Sequence, residues 1–190
     1  MTVKHRRIVS RMLAIVVCFA GIPSLSFAQE PPGERDRILR NGMFVLGGWA
    51  ATNIAAGSIG VAASDDPILR GFWEMNALWN SVNLGLAGGT LIATSRRSDP
   101  TGETALSLPE YRLESHRLEK ILLFNAGLDL GYMALGGWLW ERGSRGYGLE
   151  GSGVSAERLQ GWGQSLVLQG AFLLTFDLVM ARLIAADRGE

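Results

Sequence analysis

The chain has 190 residues, 47% hydrophobic and 19% charged, and its eighteen basic side chains balance eighteen acidic ones. A neutral balance leaves no electrostatic footprint for nucleic acid, so no nucleic-acid partner is expected. The single cysteine, Cys18, lies in the N-terminal apolar run, so a chain processed after it has no thiol for disulfides, thiolate metal sites or a cysteine nucleophile.

Residues 1–28 read as a cleavable signal peptide. A basic stretch (Lys4, Arg6, Arg7, Arg11) is followed by the apolar run Met12 to Ile22, then Pro23, with Ser26 and Ala28 three and one before a break at Gln29. The run is too short to span hydrocarbon of about 30 Å, which favours removal over anchoring. Val17 stands before Cys18 where a lipoprotein signal needs a small residue, so lipidation is not expected. A polar lead at 29–41 follows.

Four apolar blocks come next. Gly42 to Ser64 has no charged residue, Gly71 to Thr94 has only Glu74, Ile121 to Trp140 only Asp129, and Leu159 to Ala181 only Asp177. Each has about the 20 residues a helix needs to cross a bilayer, and helices apolar on nearly every face are out of place in a soluble protein of this size. The expectation is an all-α integral membrane bundle over 42–186, with transmembrane helices at about 42–64, 71–94, 117–141 and 158–186 and a tail at 187–190. DDPILR makes a tight hairpin between the first two, and the segment Ser95 to Lys120 is longer, polar and partly helical after Pro109. The third connection, Glu141 to Arg158, is rich in Gly and Ser and is expected to be flexible. Short connections make sequential helices antiparallel neighbours, giving an up-down-up-down four-helix bundle.

Glycines inside the blocks, among them Gly57, Gly60, Gly136 and Gly170, predict close helix approach, because small residues let backbones meet in lipid. LGGW occurs at Leu46 to Trp49 and again at Leu135 to Trp138; the copies lie at different distances from their helix starts and read as coincidence. Trp73, Trp138, Trp140 and Trp162 suit an aromatic belt at the membrane interface.

The polar residues inside the blocks are the informative ones. With helix directions alternating and a rise of about 1.5 Å per residue, Asn53, Asn83, Asp129 and Gln169 fall near one depth, one from each helix. Asn125 and Asp177 lie toward the end holding the mature N-terminus, and Glu74 with Asn76 toward the other. Asn76, Asn80 and Asn83 share one face of the second helix, and Asn125, Asp129 and Tyr132 one face of the third. These stripes are expected to point inward, since facing lipid would cost each amide or carboxylate its hydrogen bonds. Asn53, Asn76, Asn80, Asn83, Asn125, Asp129, Gln169 and Asp177 are therefore the candidate polar core and ligand-binding residues. Two roles stay open: interhelical glue, or a site for a small polar solute, a cation or a proton.

Other chemistry finds little support. His5 leaves with the signal and His116 precedes the third helix, so no histidine pair exists for haem or a transition metal. Glu74, Asp129 and Asp177 differ in depth by several turns, so a shared metal is not expected. Ser58, Ser81 and Ser165 lack a matching base, no catalytic residues are assigned, and no cofactor is implied. The basic residues near His116 alternate with Glu110, Glu114 and Glu119, as on an exposed surface helix.

Orientation is contested by two rules. A cleaved signal puts both termini outside the cytoplasm, whereas Arg35, Arg37, Arg40, Arg96, Arg97, Arg112, Arg117, Lys120, Arg182 and Arg188 crowd the end that this places outside. The signal is preferred, because its basic, apolar and small-residue parts agree.

The stretches GMFVLGGWAATNIAAG (Gly42 to Gly57), MNALWNSVNL (Met75 to Leu84), LFNAGLDLGY (Leu123 to Tyr132) and GWGQSLVLQGAFLLTFD (Gly161 to Asp177) carry a resemblance. Together they resemble a family of small uncharacterised bacterial membrane proteins, a domain of unknown function with four helices behind a signal peptide. The resemblance implies that architecture and a bacterial origin, and offers no activity or ligand to transfer. The reading is a multi-pass protein of the bacterial inner membrane, in contact with the lipid bilayer and acting as a structural or accessory bundle, with a membrane protein partner or as a homo-oligomer. The alternatives are a small carrier or sensor binding a polar solute, cation or proton in the core, and a membrane enzyme acting on a lipid or quinone.

Overall fold

The computed structural model describes residues 34–97, 108–149 and 151–187. The signal peptide expected at 1–28 lies outside them, as do the lead before Glu34 and the last three residues of the tail. Among the described residues the fold is all-α, with four helices and no strand: α1 Glu34–Ala63, α2 Pro67–Arg97, α3 Leu108–Ser144 and α4 Ala156–Asp187. Each begins before the apolar block it contains. α3, at 37 residues, is about 55 Å long.

Local chemistry sets the helix ends. Asp66 is the N-cap of α2: its Oδ1 accepts from Ile68 N at 2.7 Å and from Leu69 N at 3.1 Å, and Pro67 takes the first helical position, where a missing N–H costs nothing. α3 ends in a Schellman turn. Tyr147 N donates to Arg142 O at 3.1 Å and Gly146 N to Gly143 O at 2.9 Å, with Gly146 in the left-handed region at φ 81°. Ser155 Oγ then accepts from Arg158 N at 3.3 Å to start α4.

The connection between α3 and α4 corrects an expectation. Instead of a flexible linker it is a folded turn, in which Leu149 N donates to Val154 O at 3.1 Å and Arg142 Nη2 to Gly148 O at 3.1 Å. Gly151 and Gly153 hold positive φ there, so the glycines shape the turn. Leu149 and Val154 pack onto the core and tie it down.

α3 and α4 pair along their lengths, as do α1 and α2. α4 also packs against α2 and, less extensively, α1, whereas the backbones of α2 and α3 stay apart. Glycines allow the closest approaches. A Cβ on Gly136 would sit 2.8 Å from Gly163 O, and one on Gly57 2.7 Å from Trp73 O. Gly48, Gly85, Gly88, Gly89, Gly127, Gly131 and Gly137 face open space instead, so close packing explains only part of the glycine content. The two LGGW copies also differ: Trp49 stacks on Phe172 inside the bundle, while Trp138 is an exposed residue of α3.

Two apolar clusters close the ends of the bundle. Leu39, Met43, Leu46, Leu118, Leu122, Met180 and Ile184 fill one end, and Met75, Leu139, Val154, Leu159 and Leu166 the other. Buried polar residues lie between them. The outside is apolar: Phe44, Ile59, Leu78, Ile92, Phe124, Leu130, Trp138 and Val179 are each more than half exposed. Four membrane-crossing helices are expected from the sequence; among the described residues two, α1 and α4, are long and apolar enough by length and composition.

Candidate functional site

The buried polar belt separates into two parts with different chemistry. The first is a closed circuit of side chains joining α1, α2 and α4. Trp49 Nε1 donates to Gln169 Oε1 at 2.9 Å, Gln169 Nε2 donates to Asn76 Oδ1, Asn76 Nδ2 donates to Asn53 Oδ1 at 2.9 Å, and Asn53 Nδ2 donates to Trp49 O at 2.8 Å. Asn76 and Gln169 are fully enclosed, and the ring gives them partners that water or lipid cannot. Asn80, also buried, turns back on its own helix and donates to Asn76 O at 2.8 Å.

The second part is a cavity of about 90 Å³ where α2 and α3 diverge. Asn83 and Trp79 from α2, Asn125, Asp129 and Tyr132 from α3, and Asp177 and Phe176 from α4 line it, with Leu46, Val82, Leu86 and Leu173 completing the wall. Asp129 on α3 and Asp177 on α4 both line it, so two acids share one cavity. Asp129 is 3% exposed, and its Oδ2 has no hydrogen-bond partner. Trp79 Nε1, also buried, lacks an acceptor. Among the described residues, no Lys, Arg or His lines the cavity. Trp79 meets Tyr132 edge to face at 4.8 Å between centroids, bridging the two helices whose backbones do not pack.

The eight candidate residues are thus divided. Asn53, Asn76 and Gln169 bond to one another, Asn83, Asn125, Asp129 and Asp177 border the cavity, and Asn80 links the groups along α2 through Asn83 Nδ2, which donates to Asn80 Oδ1 at 3.4 Å. Trp49, Trp79 and Phe176 belong to the same belt and were not among the candidates. Spacing carried a signal for two of them: Trp49 is four before Asn53, and Trp79 four before Asn83, each on the polar face. Glu74 stands apart. It accepts from Arg158 Nε at 2.7 Å and from Trp162 Nε1 at 3.1 Å, which binds α2 to the start of α4.

A cluster at the opposite end fixes the helix termini. Arg35 Nη1 donates to Glu114 Oε2 at 3.3 Å and its guanidinium lies 4.9 Å from the centre of the Tyr111 ring. Tyr111 donates its hydroxyl proton to Asp187. Burial first, then that bond to Asp187, pushes the Tyr111 hydroxyl up to about 12.

A family model matches residues 45–178, which takes in both halves of the polar belt. The chain belongs to DUF6992, a family of unknown function. The DUF6992 match includes every candidate residue from Asn53 to Asp177, together with Trp49, Trp79 and Phe176. No curated protein and no solved structure matches the chain.

Proposed function

We propose that this is a multi-pass protein of the bacterial inner membrane whose cavity takes up a small polar solute, a cation or a proton at Asp129 and Asp177. The observation that carries the binding role is the Asp129 carboxylate, 3% exposed, with Oδ2 unpartnered beside a second acid and no basic side chain in the cavity wall among the described residues. A buried pair of carboxylates cannot hold two uncompensated charges, so it keeps a proton or draws in a cation. What supports the membrane setting is the distribution of polarity, with amides and acids inside and large apolar side chains outside on all four helices. Leu69, Leu78, Leu84 and Ile92 on α2 and Leu123, Phe124, Leu130 and Leu135 on α3 extend the apolar exterior beyond α1 and α4.

A structural or accessory role, with a partner or a second copy in the bilayer, is favoured by a different observation. The circuit of Trp49, Gln169, Asn76 and Asn53 is closed on itself and offers nothing to a ligand. Thermal unfolding of the detergent-purified chain at pH 6 and pH 8, with sodium, potassium, methylammonium or acetamide added, tests the binding role. Uptake predicts a midpoint that depends on proton or solute and loses that dependence in Asp129→Asn. A midpoint indifferent to every condition refutes binding and leaves the structural role.

A further inference from the structure

Resting on the binding role just described, we infer that the occupant of the cavity is a small organic ammonium ion, held between the Asp129 and Asp177 carboxylates and the aromatic walls of Trp79, Tyr132 and Phe176. Three features of the wall select this chemistry. The acids supply negative charge and an unsatisfied oxygen, Asp129 Oδ2, with no competing basic group among the described residues. Three rings, one each from α2, α3 and α4, line the cavity, and an aromatic ring attracts an ammonium group, more strongly where water is excluded. The rest of the wall is mixed: Leu46, Val82, Leu86 and Leu173 gain by contact with C–H groups, and the amide oxygens of Asn83 and Asn125 can accept from further ammonium N–H groups. Among the described residues no group of three or more His, Cys, Asp or Glu side chains is placed to hold a metal.

Size narrows the class. The cavity of about 90 Å³ holds the volume of about three waters and is smaller than the roughly 150 Å³ cavity that takes benzene. It therefore suits an ammonium nitrogen bearing one to a few carbons. An N–H on that nitrogen can donate to Asp129 Oδ2, which favours a primary or secondary amine over a quaternary one.

The test uses the full chain in phosphatidylglycerol nanodiscs, with methylammonium chloride, tetramethylammonium chloride and sodium chloride at matched ionic strength. Methylammonium at about 100 times its dissociation constant should raise the unfolding midpoint by about 5–11 °C, with a smaller response to tetramethylammonium and none to sodium. Equilibrium dialysis of labelled methylammonium gives a second readout that does not depend on an acid-pair variant folding. There Phe176→Leu, which keeps the wall apolar and removes the ring, should weaken binding about threefold. Adding phosphatidylethanolamine distinguishes the source: stabilisation by that lipid, with no further response to methylammonium, assigns the same ammonium chemistry to a headgroup. A response to sodium or pH with none to any amine overturns the ammonium inference and leaves uptake by the acid pair standing. Silence under all conditions overturns both.

Discussion

Asn76 is the hub of the amide circuit, and its removal gives the sharpest test of what the polar belt does for stability. Asn76→Ala deletes the acceptor of Gln169 Nε2 and the donor to Asn53 Oδ1, both of them contacts between helices. Bonds of this kind contribute roughly 0.6 to 1.7 kcal/mol each in a membrane bundle. Gln169 is fully buried, so its amide loses a partner where nothing can replace it, at a cost of about 1–3 kcal/mol. These contributions overlap, and the expected loss is about 2–3 kcal/mol. Equilibrium unfolding in mixed detergent micelles, followed by tryptophan fluorescence, measures it. Asn83→Ala is the control, because the one bond its amide donates stays within α2 at 3.4 Å; it should cost under about 1 kcal/mol. Combining Asn76→Ala with Gln169→Ala should reveal a coupling of about 1 kcal/mol, since the pair acts as a unit. If Asn76→Ala proves no more damaging than Asn83→Ala, the circuit does not hold the helices together and the reasoning fails.

Gly163→Ala should destabilise by roughly 1–3 kcal/mol, because its Cβ would stand 2.5 Å from Gly136 O, whereas Gly131→Ala, facing open space, should stay within about 0.5 kcal/mol of the parent. The same unfolding assay compares them, and equal costs would contradict the close α3–α4 approach. The folded Tyr111 hydroxyl titrates at about 12, above the ordinary tyrosine value of 10.0. Its contribution to stability is therefore complete below pH 10 and is lost as pH rises through about 12. Absorbance titration should find one late tyrosinate in the parent that is missing from Tyr111→Phe. A reporter fused after Glu190 should be active outside the cytoplasm, and activity confined to the cytoplasm would reverse the orientation.

The fold was legible because it depends on features a single chain displays. Uncharged runs of helical length, a DDP turn and one polar face per helix are local patterns, and they place Asn76, Asn83, Asp129, Gln169 and Asp177 inside. Which of those side chains touch was not legible. Helices in a bundle rotate freely in a sequence reading, and the divergence of α2 from α3, which separates the amide circuit from the acid cavity, is a property of packing between hairpins. Trp49 and Trp79 were obscured for a related reason. Amides and acids mark the belt in the sequence, which leaves both tryptophans without a role, yet each indole N–H sits in it, where one found Gln169 and the other found no acceptor. Glycine misled in the opposite sense with the turn after α3. Composition implied a slack tether, but three glycines at positive φ let Leu149 and Val154 reach the core.

The separation between α2 and α3 has a bearing on traffic. Among the described residues, leucine and methionine side chains fill both ends of the bundle, so the uptake proposed at Asp129 implies entry from the side, between α2 and α3. The rings of Trp79 and Tyr132, which touch edge to face, bridge that gap. On the proposed uptake, a rotation of either ring about its side-chain torsions is the smallest motion that would widen the gap.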